Sequence, residues 1–335
     1  MSVADELVAR QRATGRDARF DEFLELALYG QHGFYQRGGQ AGRRGDFLTS
    51  PEVGPLFGAV LARWIDAEFR RQGEPADFVV VEVGAGPGTL ARSVLHAAPH
   101  WAGRYVAVEL SAAQRAKHPE AVVSQESLPE GPFRGVIVAN ELLDNLPFRL
   151  AVFDGGWREA TVWVDGDGAL TERLAPAPEE WSWLAGNAPH GARVPMHEAA
   201  AAWVRVARAA LVDGPILAFD YFTPRTAELA LRPWRDWLRT YREQQRGEHY
   251  LRDAGMQDIT SQVCLDQLPE PAAVRTQAQF LQRWDIEELV QEGRDAWQAA
   301  AGAPDLAALR MRSRVREAES LLDPAGLGSF LAIEW

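Results

Sequence analysis

The run Phe78-Val79-Val80-Val81-Glu82-Val83-Gly84-Ala85-Gly86-Pro87-Gly88 decides how this chain is read. Its opening residues are apolar and mostly β-branched, as expected for a strand covered on both faces. The strand ends at Glu82, and three glycines at alternate positions follow. Glycine there lets backbone approach a ligand closely and adopt dihedrals that a Cβ forbids. The helix-like stretch Thr89 to Ala97 comes next, so its N-terminus would point at the same place. Taken alone, the loop is equally an ordinary strand-to-helix turn.

Two absences narrow the ligand. The dinucleotide fingerprint needs a further glycine where this chain has Thr89, and the phosphate-binding P-loop needs a lysine that does not follow. What remains is Glu82, the glycines Gly84, Gly86 and Gly88, and a second acid, Glu109, ending the next strand at Tyr105-Val106-Ala107-Val108. A carboxylate at that second position can accept from both hydroxyls of a ribose. A pyrophosphate would have to sit against Glu82. S-adenosylmethionine has no phosphate and carries an ammonium and a sulfonium, so charge sign favours the methyl donor over a nicotinamide dinucleotide.

Further strands are expected at Gly135 to Ala139 and Ile216 to Phe219. Strands alternating with helical stretches imply a Rossmann-like, doubly wound, mostly parallel α/β sheet. Residues 1–75 read as an N-terminal helical region with a glycine-rich break from Gly30 to Gly45, and residues 76–335 as the sheet domain. Ser50-Pro51-Glu52 is a good helix start, and the helix it opens carries Leu56, Val60, Leu61, Trp64 and Phe69. Within the second part, residues 145–205 form an insertion over the sheet ends. It opens with a hairpin, Phe148 to Phe153 and Trp157 to Val164, about the turn Asp154-Gly155-Gly156. Met196 to Leu211 and residues 285–322 are expected as helices, and Ser329 to Trp335 as a closing strand.

Composition sets the outer bounds. With 335 residues, 47% hydrophobic and 24% charged, the chain suits one large α/β domain with insertions. A formal charge of −12 opposes nonspecific attraction to nucleic acid. Cys264 is the single cysteine, so no internal disulfide and no cysteine-based zinc cluster can form. The scattered histidines do not suggest a metal site, and no apolar run approaches the length of a membrane span. The expectation is a metal-free, cytoplasmic protein with neither nucleic-acid binding nor membrane insertion.

Asn140-Glu141-Leu142-Leu143-Asp144-Asn145 follows the Ala139 strand, beside the switch point where doubly wound sheets bind ligands. Glu141 and Asp144 are three apart, so on a helical turn both carboxylates would share a side. The competing reading makes Asn140 a helix cap and the acids partners of its dipole. Beside a methyl-donor site, a catalytic pair is the better expectation.

The chain also resembles a known family. Leu28-Tyr29-Gly30-Gln31-His32-Gly33-Phe34-Tyr35, Gly45-Asp46-Phe47-Leu48-Thr49-Ser50-Pro51-Glu52-Val53, the Glu82 loop and Asn140 to Asp144 stand in the order found in MidA-like methyltransferases. Asp220-Tyr221, Thr240-Tyr241-Arg242, Gln257 to Thr260 and Gln277 to Leu281 continue the match. The resemblance runs from about Phe20 to about Ile286. It implies a class I methyltransferase fold, S-adenosylmethionine as cofactor, and a protein substrate bearing arginine, since mitochondrial members methylate an arginine on a complex I subunit. By the same resemblance the loop Asp46 to Glu52, with Asp46, Thr49 and Ser50, closes over the donor pocket, and Asn140 and Glu141 border donor and acceptor. The chain departs from the family in a short, proline-containing stretch from Cys264 to Pro271.

For a guanidinium acceptor, Glu141 and Asp144 would orient the group and stabilise its charge, while Tyr35, Phe47 and Tyr221 could pack against a flat cation. A small-molecule methyltransferase would instead need an enclosed apolar pocket. A non-catalytic donor-binding assembly factor would need neither carboxylate.

Overall fold

The computed structural model describes residues 2–36, 49–242, 245–303 and 305–335. Asp46 and Phe47 lie outside the described residues.

The central sheet is built from β1 (Val79–Val83), β2 (Tyr105–Val108), β3 (Val123–Gln125), β4 (Phe133–Asn140), β5 (Ile216–Asp220), β6 (Ala273–Thr276) and β7 (Leu331–Glu334). Their spatial order is β3-β2-β1-β4-β5-β7-β6, with Leu211–Asp213 adding a short pairing to β4. β1 to β5 run parallel, and β7 lies antiparallel to both β5 and β6. Strand order reverses between β1 and β4, which puts the crevice for a ligand at their carboxyl ends.

Both faces of the sheet are covered, which is why its strands read as apolar runs. On one face Val80, Val136, Val138 and Leu217 pack with α2 (Pro55–Arg71), α3 (Thr89–Ala97), α5 (Gln277–Arg283), α6 (Ile286–Ala299) and α7 (Leu306–Leu322). On the other, Val81, Val83 and Ile137 meet Ala200, Val204 and Ala207 of α4 (Glu198–Ala210). A further core joins α1 (Val3–Thr14) to the insertion: Val3, Leu7, Phe20 and Phe23 pack with Phe148, Leu150, Val162 and Val194. The expected hairpin forms as Arg149–Phe153 and Trp157–Val164. It is enlarged by Arg193–Met196 and by Leu170–Pro176, two strands beyond those expected from the sequence. Ala18–Arg19 also pairs with it, so the N-terminal stretch is not purely helical.

The helix expected to run on from Ser50 is broken. Ser50–Val53 is a single turn, and α2 restarts at Pro55. Proline disfavours helical dihedrals at the preceding residue, and Gly54 is extended, with φ 164°. The break is occupied from outside. The Glu317 carboxylate of α7 accepts from the Leu56 N–H at 2.9 Å and from the Ser313 hydroxyl, and it fills the space that a Cβ on Gly54 would take.

Replacing that carboxylate should strand the buried Leu56 donor. Glu317→Ala is expected to cost about 1–3 kcal/mol, read as a lower midpoint in urea unfolding. An unchanged midpoint would mean that water replaces the carboxylate without loss.

Candidate active site at the carboxyl ends of the strands

The glycine loop adopts the conformations that its sequence allows. Gly84, Gly86 and Gly88 have φ of 72°, 52° and 80°, a left-handed region in which side chains are strained. A Cβ on Gly84 would meet Leu142 at 3.1 Å, and one on Gly88 would meet His118 at 3.1 Å. One on Gly86 would stand in open space. The Gly86 N–H donates to Glu109 Oε2 at 3.0 Å, and the Ser111 N–H to Glu109 Oε1 at 2.8 Å. Glu109 therefore braces the loop while each oxygen keeps a further lone pair. Thr89 donates to Glu52 Oε1 at 2.6 Å, tying the Ser50–Val53 turn to the same loop. His118 contacts the Gly86 carbonyl through Nε2 at 2.9 Å. A lone histidine in a loop carries no sequence signal for that contact.

Glu82 is buried, and the Tyr105 hydroxyl donates to its Oε2 at 2.8 Å. Burial pushes its pKa up to about 8, against the opposing pull of Tyr105 and Arg92.

The end of β4 departs from the expected helical turn. Asn140 is the last strand residue, Glu141 is left-handed with φ 50°, and Leu143–Asn145 is a single 3-10 turn. The premise that Glu141 and Asp144 share one helical side is thus corrected, as is the reading of Asn140 as a helix cap. The left-handed turn sends the two side chains into different surroundings. Asp144, 3% exposed, accepts from the Thr260 hydroxyl at 2.5 Å and from Asn145 Nδ2 at 3.0 Å. Glu141 is half-buried and takes a long contact from Asn140 Nδ2 at 3.3 Å. Burial first, and then the Asp144 charge, hold Glu141 well above the usual carboxylate range, while Ser50 and Asn140 oppose them. Burial likewise lifts Asp144 to about 6. Asp220, fully buried, accepts from the N–H groups of Leu143, Asp144 and Tyr221 at 2.8, 3.2 and 2.8 Å. Burial and the Asp144 charge raise its pKa as well.

Aromatic rings and further polar groups close this region. Tyr35 donates to Asp258 Oδ1 at 3.1 Å and stacks on Tyr29 at 5.4 Å. Tyr29 ends a π-helix, Glu25–Tyr29, and donates to the Asn145 carbonyl at 2.9 Å. Such π-helical turns are rare and often mark functional sites. Tyr221 packs on Phe330 at 4.0 Å. Ser50 donates to Gln277 Oε1 at 2.8 Å, and Thr49 is buried at the start of the same turn. Glu82, Glu109, the glycines and the Ser50 turn are thus gathered at the ends of β1 and β2, and Asn140, Glu141 and Asp144 lie at the end of β4 next door. Tyr29, Tyr105, His118, Asp220, Asp258 and Thr260 were missed as site residues. Only Tyr29, Asp220, Asp258 and Thr260 had a signal, their places in the family-like motifs.

A mostly parallel sheet of this order, with an acid-flanked glycine loop at its switch point, is the class I methyltransferase fold. Residues 60–282 match the family described as "Putative S-adenosyl-L-methionine-dependent methyltransferase", and the chain belongs to it. A crystal structure from Burkholderia thailandensis, described as a "likely methyl transferase" bound to S-adenosyl-homocysteine, superposes with TM-score 0.84 at 29% identity, over 99% of this chain and 91% of that one. A second, native structure from the same organism gives 0.82 at 28%, over 99% and 90%. The family is one of S-adenosylmethionine-dependent methyltransferases, and S-adenosylmethionine is the cofactor to which it and the S-adenosyl-homocysteine of the first structure point. The mitochondrial protein arginine methyltransferase NDUFAF7 homolog of Drosophila melanogaster is 40% identical over 94 residues, and the Bos taurus NDUFAF7 protein is 34% identical over 89. Those stretches cover 28% and 27% of this chain, but only 22% and 20% of the relatives. The chain thus matches about a fifth of the length of these curated relatives. Their mitochondrial names overturn the cytoplasmic expectation. Net charge and a lone cysteine are properties that a reducing compartment tolerates, and they carry no address.

The raised carboxyl groups give the unliganded protein a definite pH dependence. An acid whose folded pKa exceeds its unfolded value stabilises the fold fully below the unfolded pKa, and that contribution is lost as pH rises through the folded one. For Glu82 the window runs from 4.5 to about 8. Thermal stability without ligand should therefore fall from pH 5 to pH 8. In Glu82→Gln that loss should shrink by about 3–4 kcal/mol. Parallel pH profiles for the two proteins would show that Glu82 is ionised at neutral pH.

Proposed function

We propose that this methyltransferase transfers its methyl group to an arginine guanidinium of a protein acceptor, with Glu141 facing that acceptor. The observation that carries the proposal is Glu141 itself: a half-buried carboxylate in a left-handed turn, at the switch point of the sheet, in a region otherwise made of buried acids and tyrosines. A flat cation suits such surroundings through charge-assisted hydrogen bonds and ring contacts. The names of the mitochondrial relatives agree with this reading.

The chain's residues also suit the donor. The open space over Gly86 accepts a ligand that a Cβ would obstruct, and Asn140 Oδ1 is buried with no hydrogen-bond partner, an acceptor available to an ammonium. In the proposed arrangement Gly84, Gly86 and Gly88 line the donor with Thr49 and Ser50. Glu109 takes the ribose hydroxyls through its free lone pairs, and Leu110, 58% exposed beside it, offers a face to the adenine. Glu82 and Asn140 lie towards the amino-acid end.

When bound, the donor supplies an electrophilic methyl group, and the protein aligns the nucleophile and excludes water. A guanidinium nitrogen is a poor nucleophile while protonated. As its bond to the methyl carbon forms and the carbon–sulfur bond breaks, one N–H proton must leave. Glu141 is assigned to accept it, and burial makes that carboxylate more basic, as the task requires. Asp144, held by Thr260 and Asn145, is a positioning residue behind Glu141. Tyr35 and Tyr221 would pack against the acceptor.

Two measurements test these roles. Calorimetry should show donor binding largely lost in Gly86→Val and weakened by about 1.5–3 kcal/mol in Glu109→Ala, and equal affinities would remove the donor assignment. Labelled-methyl transfer to arginine peptides should fall at least about tenfold in Glu141→Gln, equivalent to ~1.4 kcal/mol of transition-state stabilisation, with donor affinity retained. In Asp144→Asn the peptide KM should change more than kcat. Undiminished transfer in Glu141→Gln would end the carboxylate mechanism, and label found only in small molecules would end the protein-acceptor reading.

A further inference from the structure

A cavity of about 540 Å³ lies away from the glycine loop, walled by Trp234, Arg235, Arg239, Arg246, His249 and Arg252. Four guanidinium groups around one hollow are unusual in a chain with a formal charge of −12. Two acids, Asp236 and Glu248, also line it. Glu248 is paired with Arg252 at 2.5 Å, and Asp236 offers Arg239 its backbone carbonyl at 2.8 Å. Among the described residues Arg235, Arg239 and Arg246 have no carboxylate partner. Arg235 lies over the Trp234 ring at 4.9 Å, and Arg246 donates to the Arg235 carbonyl. Guanidinium groups held against rings and backbone are oriented, and N–H donors left over after those contacts match a carboxylate in pairs.

This hollow adjoins the proposed acceptor region through one ring. The Arg239 guanidinium stands 5.7 Å from the centre of Tyr221, and Tyr221 directly follows Asp220 at the end of β5. Burial first, and then the Glu141 and Asp144 charges, raise the Tyr221 hydroxyl, while Arg239 opposes them. An acceptor lying along Tyr221 would meet negative charge at one end and positive charge at the other. The arginines come from two separate segments, Trp234 to Arg239 and Arg246 to Arg252, which suits several carboxylates spaced along a chain better than one compact anion.

We propose that the cavity is a docking subsite for acidic side chains of the protein acceptor, so that the preferred substrate carries glutamate or aspartate a few residues from the methylated arginine. The position of the acids relative to an arginine rests on the function proposed above, whereas capture of an acidic segment does not. Charge complementarity of this kind fixes register and rejects basic segments that lack the acids.

Two assays on the full chain separate these parts. In the first, a fluorescent, glutamate-rich, arginine-free peptide is titrated by anisotropy against its glutamine counterpart. The acidic peptide should bind wild type, and its affinity should fall about tenfold or more in the double variant Arg235→Gln, Arg246→Gln, whose thermal unfolding stays unchanged. In the second, arginine peptides with and without flanking glutamates are methylated. Wild type should show a KM about tenfold lower for the acidic ones, a preference that the double variant loses. Indistinguishable binding of the acidic and glutamine peptides, or undiminished binding in the double variant, would overturn the subsite. Acidic-peptide binding without methylation of any arginine peptide would leave the subsite standing and remove the arginine reading. Methylation with equal KM for both peptide classes, without acidic-peptide binding, would do the reverse.

Discussion

A carboxylate taken out of water must be given donors or a cation, and the carboxyl edge of this sheet buries several. Asp220 shows how that demand shapes the site. Its two oxygens collect three backbone N–H groups, two of them from the turn that leaves β4. The Glu141 N–H donates in return to the Phe219 carbonyl at 2.8 Å. The turn after β4 is therefore stitched to β5 in both directions. That stitching holds Glu141 in a left-handed conformation, a strain that persists only where surrounding contacts over-determine it. Asp144 is carried past it to Thr260, and the Asn145 carbonyl is presented to Tyr29. Replacing Asp220 by an apolar residue would leave three donors stranded and release the turn that aims Glu141.

The other wall of the site is braced from the far end of the chain. Gln277 accepts from Ser50 and donates to the Leu321 carbonyl at 3.2 Å, and Glu317 caps the restart of α2. The C-terminal helices thus hold the Ser50–Val53 turn against the glycine loop, which Glu52 reaches through Thr89. Residues separated by more than two hundred positions meet there because the sheet's last strand, β7, returns to pair with β5.

The sheet was legible because its signals are local. Apolar runs such as Val79 to Val81 and Gly135 to Ala139 declare strands covered on two faces, and alternate glycines after an acid permit the positive φ that Gly84, Gly86 and Gly88 adopt. The Asp154-Gly155-Gly156 hairpin was readable for the same reason. The site beyond the glycine loop was less so. Spacing suggested that Glu141 and Asp144 share a helical side, but a tertiary demand, the burial of Asp220, converted that turn into something else. Gly54 and Pro55 contained the break in the helix, yet what fills it, Glu317, is a distant side chain with no local mark. His118 and the arginines around Trp234 belong to the same class: single residues whose roles follow from contacts and not from pattern.

Burial also sets how the site handles charge. With Glu82, Glu141, Asp144 and Asp220 all raised, carboxyl groups crowded at one strand edge can hold protons while no cation is near, which removes most of their mutual repulsion. An arriving cation reverses the balance, because an opposite charge within a few ångströms favours the ionised form. Part of the attraction for the cation is then used to expel a proton, so the ground-state complex is held less tightly than a permanently charged site would hold it. In the proposed reaction the base strength gained by burial is exerted when the guanidinium proton has to leave. Interaction that grows towards the transition state raises turnover, whereas interaction spent equally on substrate does not. A set of fully solvated carboxylates could bind the same cation but would lack that difference. The half-buried tyrosines, the stitched turn and the distant braces serve it together, by screening the acids from water and holding them in place.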